Sequence, residues 1–129
     1  MVTEQYVSFE TAKMLKDKGF DECIYTCYSV EDYPQFMTMI DFVVQDEVYE
    51  RIGKDCHIIQ APTQQMAMRW LREQHNLHID IDISDGDWNP CVIELENWSV
   101  VSEYDTEKTQ DTYEDAVEYA LKYCLTKLI

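Results

Sequence analysis

His78, Asp80 and Asp82 occupy alternate positions of one short stretch, and histidine and aspartate are residue types that bind divalent metals in proteins. Alternate residues of a β-strand project from the same face about 7 Å apart, so these three would share one face. An imidazole with two carboxylates suits several divalent metals when another element supplies further ligands. The same alternation is typical of a strand with one solvated face, and we favour that interpretation over a metal-dependent enzyme.

A calcium loop is the second chemistry that this region suggests. From Asp85 onwards, the letters DGDWNPCVIELE place acidic or amide residues at positions 1, 3 and 5 of an EF-hand loop and Glu96 at position 12. Position 6, where the sharp turn needs glycine, is Pro90, whose ring fixes φ at about −65°. The sequence therefore favours a β-hairpin with an Asp85-Gly86 turn, and we predict no metal or other cofactor.

The hairpin interpretation fixes which residues face each other. With Asp85 and Gly86 in the turn, Trp88 lies opposite Ile83 and Val92 opposite Ile79, and all four are expected on the buried face. Pro90 has no N–H to donate, so the return strand is expected to lie at a sheet edge there.

The charge balance restricts the classes of partner. Ten lysine and arginine residues stand against 26 aspartate and glutamate residues, which gives a formal net charge of −16 at pH 7. Nucleic acids and anionic membranes attract proteins mainly through lysine and arginine, so neither is an expected partner. A protein partner, in particular a basic one, is the better expectation.

Length and composition indicate a single globular domain that covers residues 1–129. The first ten residues lack the cationic start and apolar run of a signal peptide, and no stretch approaches the roughly 18 apolar residues of a membrane span. A cytoplasmic location is therefore expected, and the five cysteines are expected to be reduced thiols.

Three segments combine a capping residue with a helical stripe of apolar side chains. Ser8, Thr63 and Thr112 are the predicted N-caps, and Gly19 and Asn76 are the predicted left-handed terminators. The inward-facing stripes are expected to contain Phe9, Ala12 and Leu15 in the first helix, Met66, Ala67, Trp70 and Leu71 in the second, and Ala116, Val117, Ala120, Leu121, Cys124, Leu125 and Leu128 in the third.

Strand patterns lie between these helices. The letters CIYTCYS, CHIIQ, IDIDI and NPCVIELENWSVVSEY are short, rich in β-branched and aromatic residues, or alternating, and the last of these has room for a second strand and a third. Residues 30–60 are ambiguous: 36–44 fit either a helix or a strand, and a helix is favoured around 45–52. The order of elements predicts an α+β fold with a small antiparallel sheet packed by about three helices.

Aromatic residues are the remaining unusual feature, with nine tyrosines and three tryptophans. Tyrosine and tryptophan are enriched at the centres of protein interfaces, although packing at the core edge is their commoner role. The interaction candidates are Trp88, Trp98, Tyr119 and Tyr123. A homodimer through Trp88, Trp98 and the edge at Pro90 is one alternative.

The stretches SFETAKMLKDKGFDE, APTQQMAMRWLREQHNLHIDI and TYEDAVEYALKYCLTKLI resemble a family of small proteins encoded by prophages and mobile elements of gut Bacteroidales. The similarity covers about half of the chain and excludes residues 30–60. No activity, cofactor or catalytic residue is assigned to that family, so the resemblance implies only a phage or mobile-element context in a bacterial cytoplasm.

Together these observations favour a non-enzymatic function. The sequence contains no phosphate-cradling glycine loop, no G-x-S-x-G and no H-E-x-x-H, so no catalytic residues are predicted. We expect a small acidic protein-binding or accessory protein, with a DNA-mimicking inhibitor as a sharper form of the same hypothesis. The alternative is a metal-dependent enzyme with a site near His78, Asp80 and Asp82.

Overall fold

The computed structural model describes residues 4–22, 26–30, 35–38, 57–101 and 109–129. The chain divides into two compact units, Tyr6–Pro62 and a second unit that combines Met1–Gln5 with Thr63–Ile129. Each unit contains a three-stranded antiparallel sheet and helix, which confirms the α+β class. The expectation of one domain over residues 1–129 stays a prediction.

The unit Tyr6–Pro62 contains helix α1 (Phe9–Asp17) and strands β1 (Thr26–Val30), β2 (Gln35–Thr38) and β3 (His57–Gln60). The strand order is β2-β1-β3, and β1 is antiparallel to both neighbours. The structure thus gives a strand at residues 35–38, where the sequence left helix and strand open. The helix predicted around residues 45–52 lies outside the described residues.

The ends of α1 follow the predicted caps. The Ser8 Oγ accepts a hydrogen bond from the Thr11 N–H at 3.2 Å, as an N-cap does. Gly19 has φ +92°, and the Phe20 N–H donates to the Leu15 carbonyl at 2.9 Å, which closes a Schellman ending. Phe20 is buried, so the chain folds back onto the helix as expected.

The second unit contains helix α2 (Gln64–His75), strands β4 (Leu77–Ser84), β5 (Asp87–Glu94) and β6 (Ser99–Val100), and helix α3 (Tyr113–Tyr123). A π-helical segment, Cys124–Leu128, continues α3. The sheet order is β4-β5-β6, and α2 and α3 pack against its strands. No helix among the described residues is long and apolar enough to cross a membrane.

The caps of α2 and α3 are also those that the sequence predicts. The Thr63 Oγ1 accepts from the Met66 N–H, and the Thr112 Oγ1 accepts from the Asp115 N–H, both at 3.1 Å. Asn76 ends α2 in the left-handed conformation, with φ 54°. These signals are confirmed because each depends only on residues within one helical turn.

Two residues that the sequence places in the core are exposed in the structure, so their predicted burial is wrong. Met66 is 39% exposed, and Met68 is buried in its place, because the buried stripe of α2 centres on Ala67 and Leu71. Ile83, predicted on the buried face of the hairpin, is 66% exposed. The inward-facing side of β4 is covered at Leu77 and Ile79 but not at the tip of the hairpin.

Candidate functional site

The hairpin of β4 and β5 has the predicted turn and register. Asp85 and Gly86 have φ 50° and 81°, the two positive angles that a tight two-residue hairpin turn requires. Ile83 pairs with Trp88 and Ile79 with Val92, as expected from the sequence. Ile79 and Val92 are buried, whereas Trp88 is half-buried.

Two hydrogen bonds show which way the backbone groups of Trp88 point, and the alternation of the ladder then gives the direction of its neighbours. The Trp88 N–H donates to the Gln110 carbonyl at 3.0 Å, and the Gln110 N–H donates to the Trp88 carbonyl at 2.8 Å. Backbone groups of Trp88 therefore point away from β4, and those of Pro90, two residues later, point the same way. The Pro90 nitrogen, which carries no hydrogen, therefore faces away from β4. β5 is the central strand of the order β4-β5-β6, and β6 pairs only with Ile93 and Glu94, so the expected edge at Pro90 stays a prediction.

Opposite the helices, this sheet presents a surface that we call the open face. Alternation places the even-numbered residues of β4 and the odd-numbered residues of β5 on it, and the pairing of Ile93 with Val100 adds one residue of β6. The open face consists of His78, Asp80, Asp82, Ser84, Asp87, Asn89, Cys91, Ile93 and Val100.

The open face mixes exposed carboxylates with apolar side chains. Asp80, Asp82 and Asp87 are exposed, Cys91 and Ile93 are half-buried, and Val100 is 62% exposed. The carboxylates lie toward the hairpin turn, and Ile93 and Val100 lie toward the other end of the sheet.

The metal candidates His78, Asp80 and Asp82 share the open face, as their spacing predicts. Within residues 4–22, 26–30, 35–38, 57–101 and 109–129, no group of three or more histidine, cysteine, aspartate or glutamate residues could hold a metal ion. The described residues therefore bring no further ligand to these three side chains, and the metal-dependent enzyme stays an untested prediction.

The formally charged side chains of residues 77–101 are all negative. The sequence contains no lysine or arginine between Arg72 and Lys108. Across residues 77–101, every formally charged side chain at neutral pH is acidic: Asp80, Asp82, Asp85, Asp87, Glu94 and Glu96.

These carboxylates differ in whether they accept hydrogen bonds from other described residues. The Glu94 carboxylate accepts from the backbone N–H groups of Glu96 and Asn97, each at 3.0 Å, and so stabilises the turn between β5 and β6. By contrast, Asp80, Asp82 and Asp87 form no side-chain hydrogen bond or ion pair with another described residue.

Trp98 is the most exposed of the interaction candidates. It lies in the turn before β6 with φ 55°, a left-handed conformation that is costly for a residue with a bulky side chain. Its side chain is 79% exposed. The fold therefore holds a large apolar ring in water on a strained backbone, an arrangement typical of residues kept for binding.

The other aromatic candidates are not gathered around Trp98. Trp88 lies on the helix-facing side of the hairpin and makes an edge-on contact with Tyr113, with ring centroids 5.7 Å apart. Tyr119 is partly exposed on α3, and the Tyr123 hydroxyl donates to the Val101 carbonyl at 3.5 Å. Trp88 and Tyr123 thus have packing roles that the sequence did not separate from binding.

Sequence reasoning missed Ile93 and Val100 as parts of this surface. The alternation of β5 was a usable signal for Ile93, because the predicted pairing of Val92 with Ile79 leaves Ile93 on the opposite side. Val100 could not be assigned, since its face depends on the length and shape of the turn between β5 and β6.

A buried cysteine and a small cavity are two further features of the described residues. Cys124 is completely buried at the end of α3, and burial raises the pKa of its thiol to about 12, so it is a core residue. In the unit Tyr6–Pro62, a cavity of about 260 Å³ is lined by Ala12, Lys16, Phe20, Asp21 and Gln60. This volume is below the range of roughly 300–1,000 Å³ usual for small-molecule sites.

Comparison with known proteins finds no matching family model, no matching curated protein and no matching solved structure. The resemblance to proteins of prophages and mobile elements is untested by these comparisons and stays a prediction.

Proposed function

We propose that this chain is a small acidic protein-binding protein, an accessory factor of phage or mobile-element origin, that acts through the open face and Trp98. One observation carries the proposal: the open face combines carboxylates that have no described partner with half-buried Ile93 and exposed Val100, and the described strands of this sheet contain no lysine or arginine.

The carboxylates of the open face and the exposed apolar residues Val100, on that face, and Trp98, in the turn before β6, suit different parts of an interface. Apolar residues such as Trp98 and Val100 gain free energy when a partner excludes water from them, and tryptophan is prominent among residues that dominate binding. Asp80 and Asp82 add little affinity at the rim of an interface but accelerate association with a basic partner and select against acidic ones. A basic protein with an apolar patch is therefore the partner that this surface fits.

Affinity capture with matched variants tests the proposal. The immobilised chain is incubated with a bacterial lysate at low and at moderate salt, and bound proteins are quantified by mass spectrometry. We expect the wild-type chain to enrich a basic protein, and the triple variant Asp80→Asn/Asp82→Asn/Asp87→Asn to lose most of it. The enrichment should fall as salt rises, because salt screens exposed charges.

The control removes the same number of charges elsewhere. The variant Glu10→Gln/Asp17→Asn/Glu22→Gln neutralises three exposed carboxylates of the unit Tyr6–Pro62. It should retain the captured protein at wild-type levels. Equal loss in both variants would show that only net charge matters, and capture of no protein by any form would contradict the proposal.

A DNA-mimicking inhibitor is the second candidate function. Asp80 and Asp82 form a row along one strand, and Asp87 continues the same face across the turn, so these charges are aligned and not scattered. Such a row could imitate the charges of a nucleic-acid backbone for a basic cleft. Inhibition of the captured protein's DNA binding by the wild-type chain, but not by the triple variant, would support this form of the function.

A further inference from the structure

Among the described residues, no strand pairs with the outer edge of β4 in the sheet β4-β5-β6. β4 pairs with β5 on one side and is the terminal strand of the sheet on the other. Trp88 directs its backbone groups away from β4, and Ile83 opposite it therefore directs its own away from β5. Ile81, two residues earlier, has the same orientation.

Most residues of this part of β4 are exposed. Ile83 is 66% exposed, Asp80, Asp82 and Ser84 are exposed, and Ile81 is half-buried. No hydrogen bond from Ile81 or Ile83 to another described residue occurs outside the β4–β5 pair. The segment from Asp80 to Ser84 is thus a short template for another strand.

We propose that β4 accepts an extended segment of a partner protein as an additional antiparallel strand, and that this segment carries lysine or arginine at alternate positions. The inference rests on the proposed function and specifies how the partner binds. In this mode of recognition, backbone hydrogen bonds supply affinity and alternate side chains supply specificity.

Register explains why the cations must alternate. Ile81 and Ile83 would form the hydrogen-bonded pairs with the incoming strand, so Asp80 and Asp82 would occupy the other pairs. Opposing Cα atoms are only about 4.5 Å apart in those pairs, and side chains there are closest. Lysine or arginine opposite the two aspartates is favourable, and apolar residues between them would lie beside Ile81 and Ile83.

The same geometry disfavours a second copy of this chain as the occupant. An antiparallel pair of β4 strands centred on residue 80, 81 or 82 places Asp80 opposite Asp80, Asp80 opposite Asp82, or Asp82 opposite Asp82 of the other copy. Directly opposed like charges destabilise a strand pair. The aspartates therefore oppose self-pairing of this segment and favour a cationic strand.

A peptide-binding experiment tests the inference. The probe is a labelled peptide of about ten residues that alternates lysine and valine, within the usual length of a strand. A peptide of the same composition with its lysines in one block is the control. We expect the alternating peptide to bind with higher affinity, measured by fluorescence anisotropy, and to slow amide hydrogen exchange at Ile81 and Ile83. The amides of Asp80 and Asp82 already face β5 and serve as internal controls.

Variants separate backbone pairing from charge. Ile83→Pro removes an N–H that faces outward and so should abolish binding while the β4–β5 ladder survives, whereas Ile83→Val should bind like the wild type. Asp80→Asn/Asp82→Asn should weaken binding about 2- to 30-fold, given the usual strength of cross-strand charge pairs. Should Ile83→Pro fail to fold by circular dichroism, methylation of the peptide's β4-facing amides tests the same hydrogen bonds.

Three results would overturn the inference. The first is wild-type affinity for a folded Ile83→Pro variant or for the methylated peptide. The second is binding without slower exchange at Ile81 and Ile83, which would place the peptide on the open face. The third is no binding of the alternating peptide, in which case the aspartates only protect the edge against aggregation. A protein captured from lysate in that case would leave the proposed function standing.

Discussion

Replacement of Trp98 by glycine separates binding from stability. Trp98 has φ 55° and is 79% exposed, so its side chain contributes little to the core while its backbone is held in the left-handed region. We expect Trp98→Gly to leave the free energy of unfolding within about 1 kcal/mol of the wild type, because three contributions nearly cancel.

The magnitudes follow from the structure. Glycine relieves left-handed strain worth about 1–2 kcal/mol, and its greater freedom in the unfolded chain costs about 0.5–1 kcal/mol. About a fifth of Trp98 is buried, since 79% is exposed. For a ring of up to about 250 Å², that fifth is roughly 50 Å² and contributes about 1.2 kcal/mol at most.

Urea unfolding followed by circular dichroism measures this quantity, with Trp70→Ala as the matched control. Trp70 is buried in α2, and its truncation should cost about 3–5 kcal/mol. Binding to the captured partner should fall at least about tenfold in Trp98→Gly if Trp98 is central to the interface. A loss of stability above about 2 kcal/mol with unchanged binding would show that Trp98 is a structural residue and would refute this reasoning.

Two further predictions concern the core. Leu71→Ala should lower the free energy of unfolding by about 2–5 kcal/mol, because Leu71 is completely buried, whereas Met66→Ala at an exposed position of α2 should cost less than about 1 kcal/mol in the same urea titration. Burial raises the pKa of Cys124 from 9.0 to about 12, so the thiol stays protonated in the folded chain between these values while the unfolded chain ionises. Stability should therefore be insensitive to this group below pH 9 and fall by up to about 1.4 kcal/mol per pH unit above it, and Cys124→Ala should show a shallower decline.

Much of the local structure could be predicted from the sequence. The N-caps Ser8, Thr63 and Thr112, the left-handed Gly19 and the Asp85-Gly86 turn are all confirmed. Each signal involves side chains and backbone groups within a few residues of each other, so it does not depend on contacts with the rest of the chain.

The predictions were wrong where contacts between residues distant in sequence decide which side chains are buried. The apolar pattern placed Met66 on the inward face of α2, but the structure exposes Met66 and buries Met68. Alternation in β4 grouped Ile79 with Ile83, but the covering of that face ends before the tip, so only Ile79 is buried.

The candidate site was predictable in part. The spacing of His78, Asp80 and Asp82 correctly placed them on one face, and the alternation that did so is a property of any strand. The addition of Val100 required the register of β6, and the distinction between Glu94, which accepts backbone hydrogen bonds, and the aspartates required hydrogen-bond geometry.

The sequence by itself determined the net charge of −16, the helix boundaries, the hairpin and its pairing, because these depend on composition and on neighbours along the chain. Only the tertiary structure decided which side of the hairpin the helices cover, which edge of the sheet has no described strand beside it, and that Trp98 faces water. Those outcomes depend on how far α2 and α3 reach over the strands, which is fixed by contacts between residues distant in sequence.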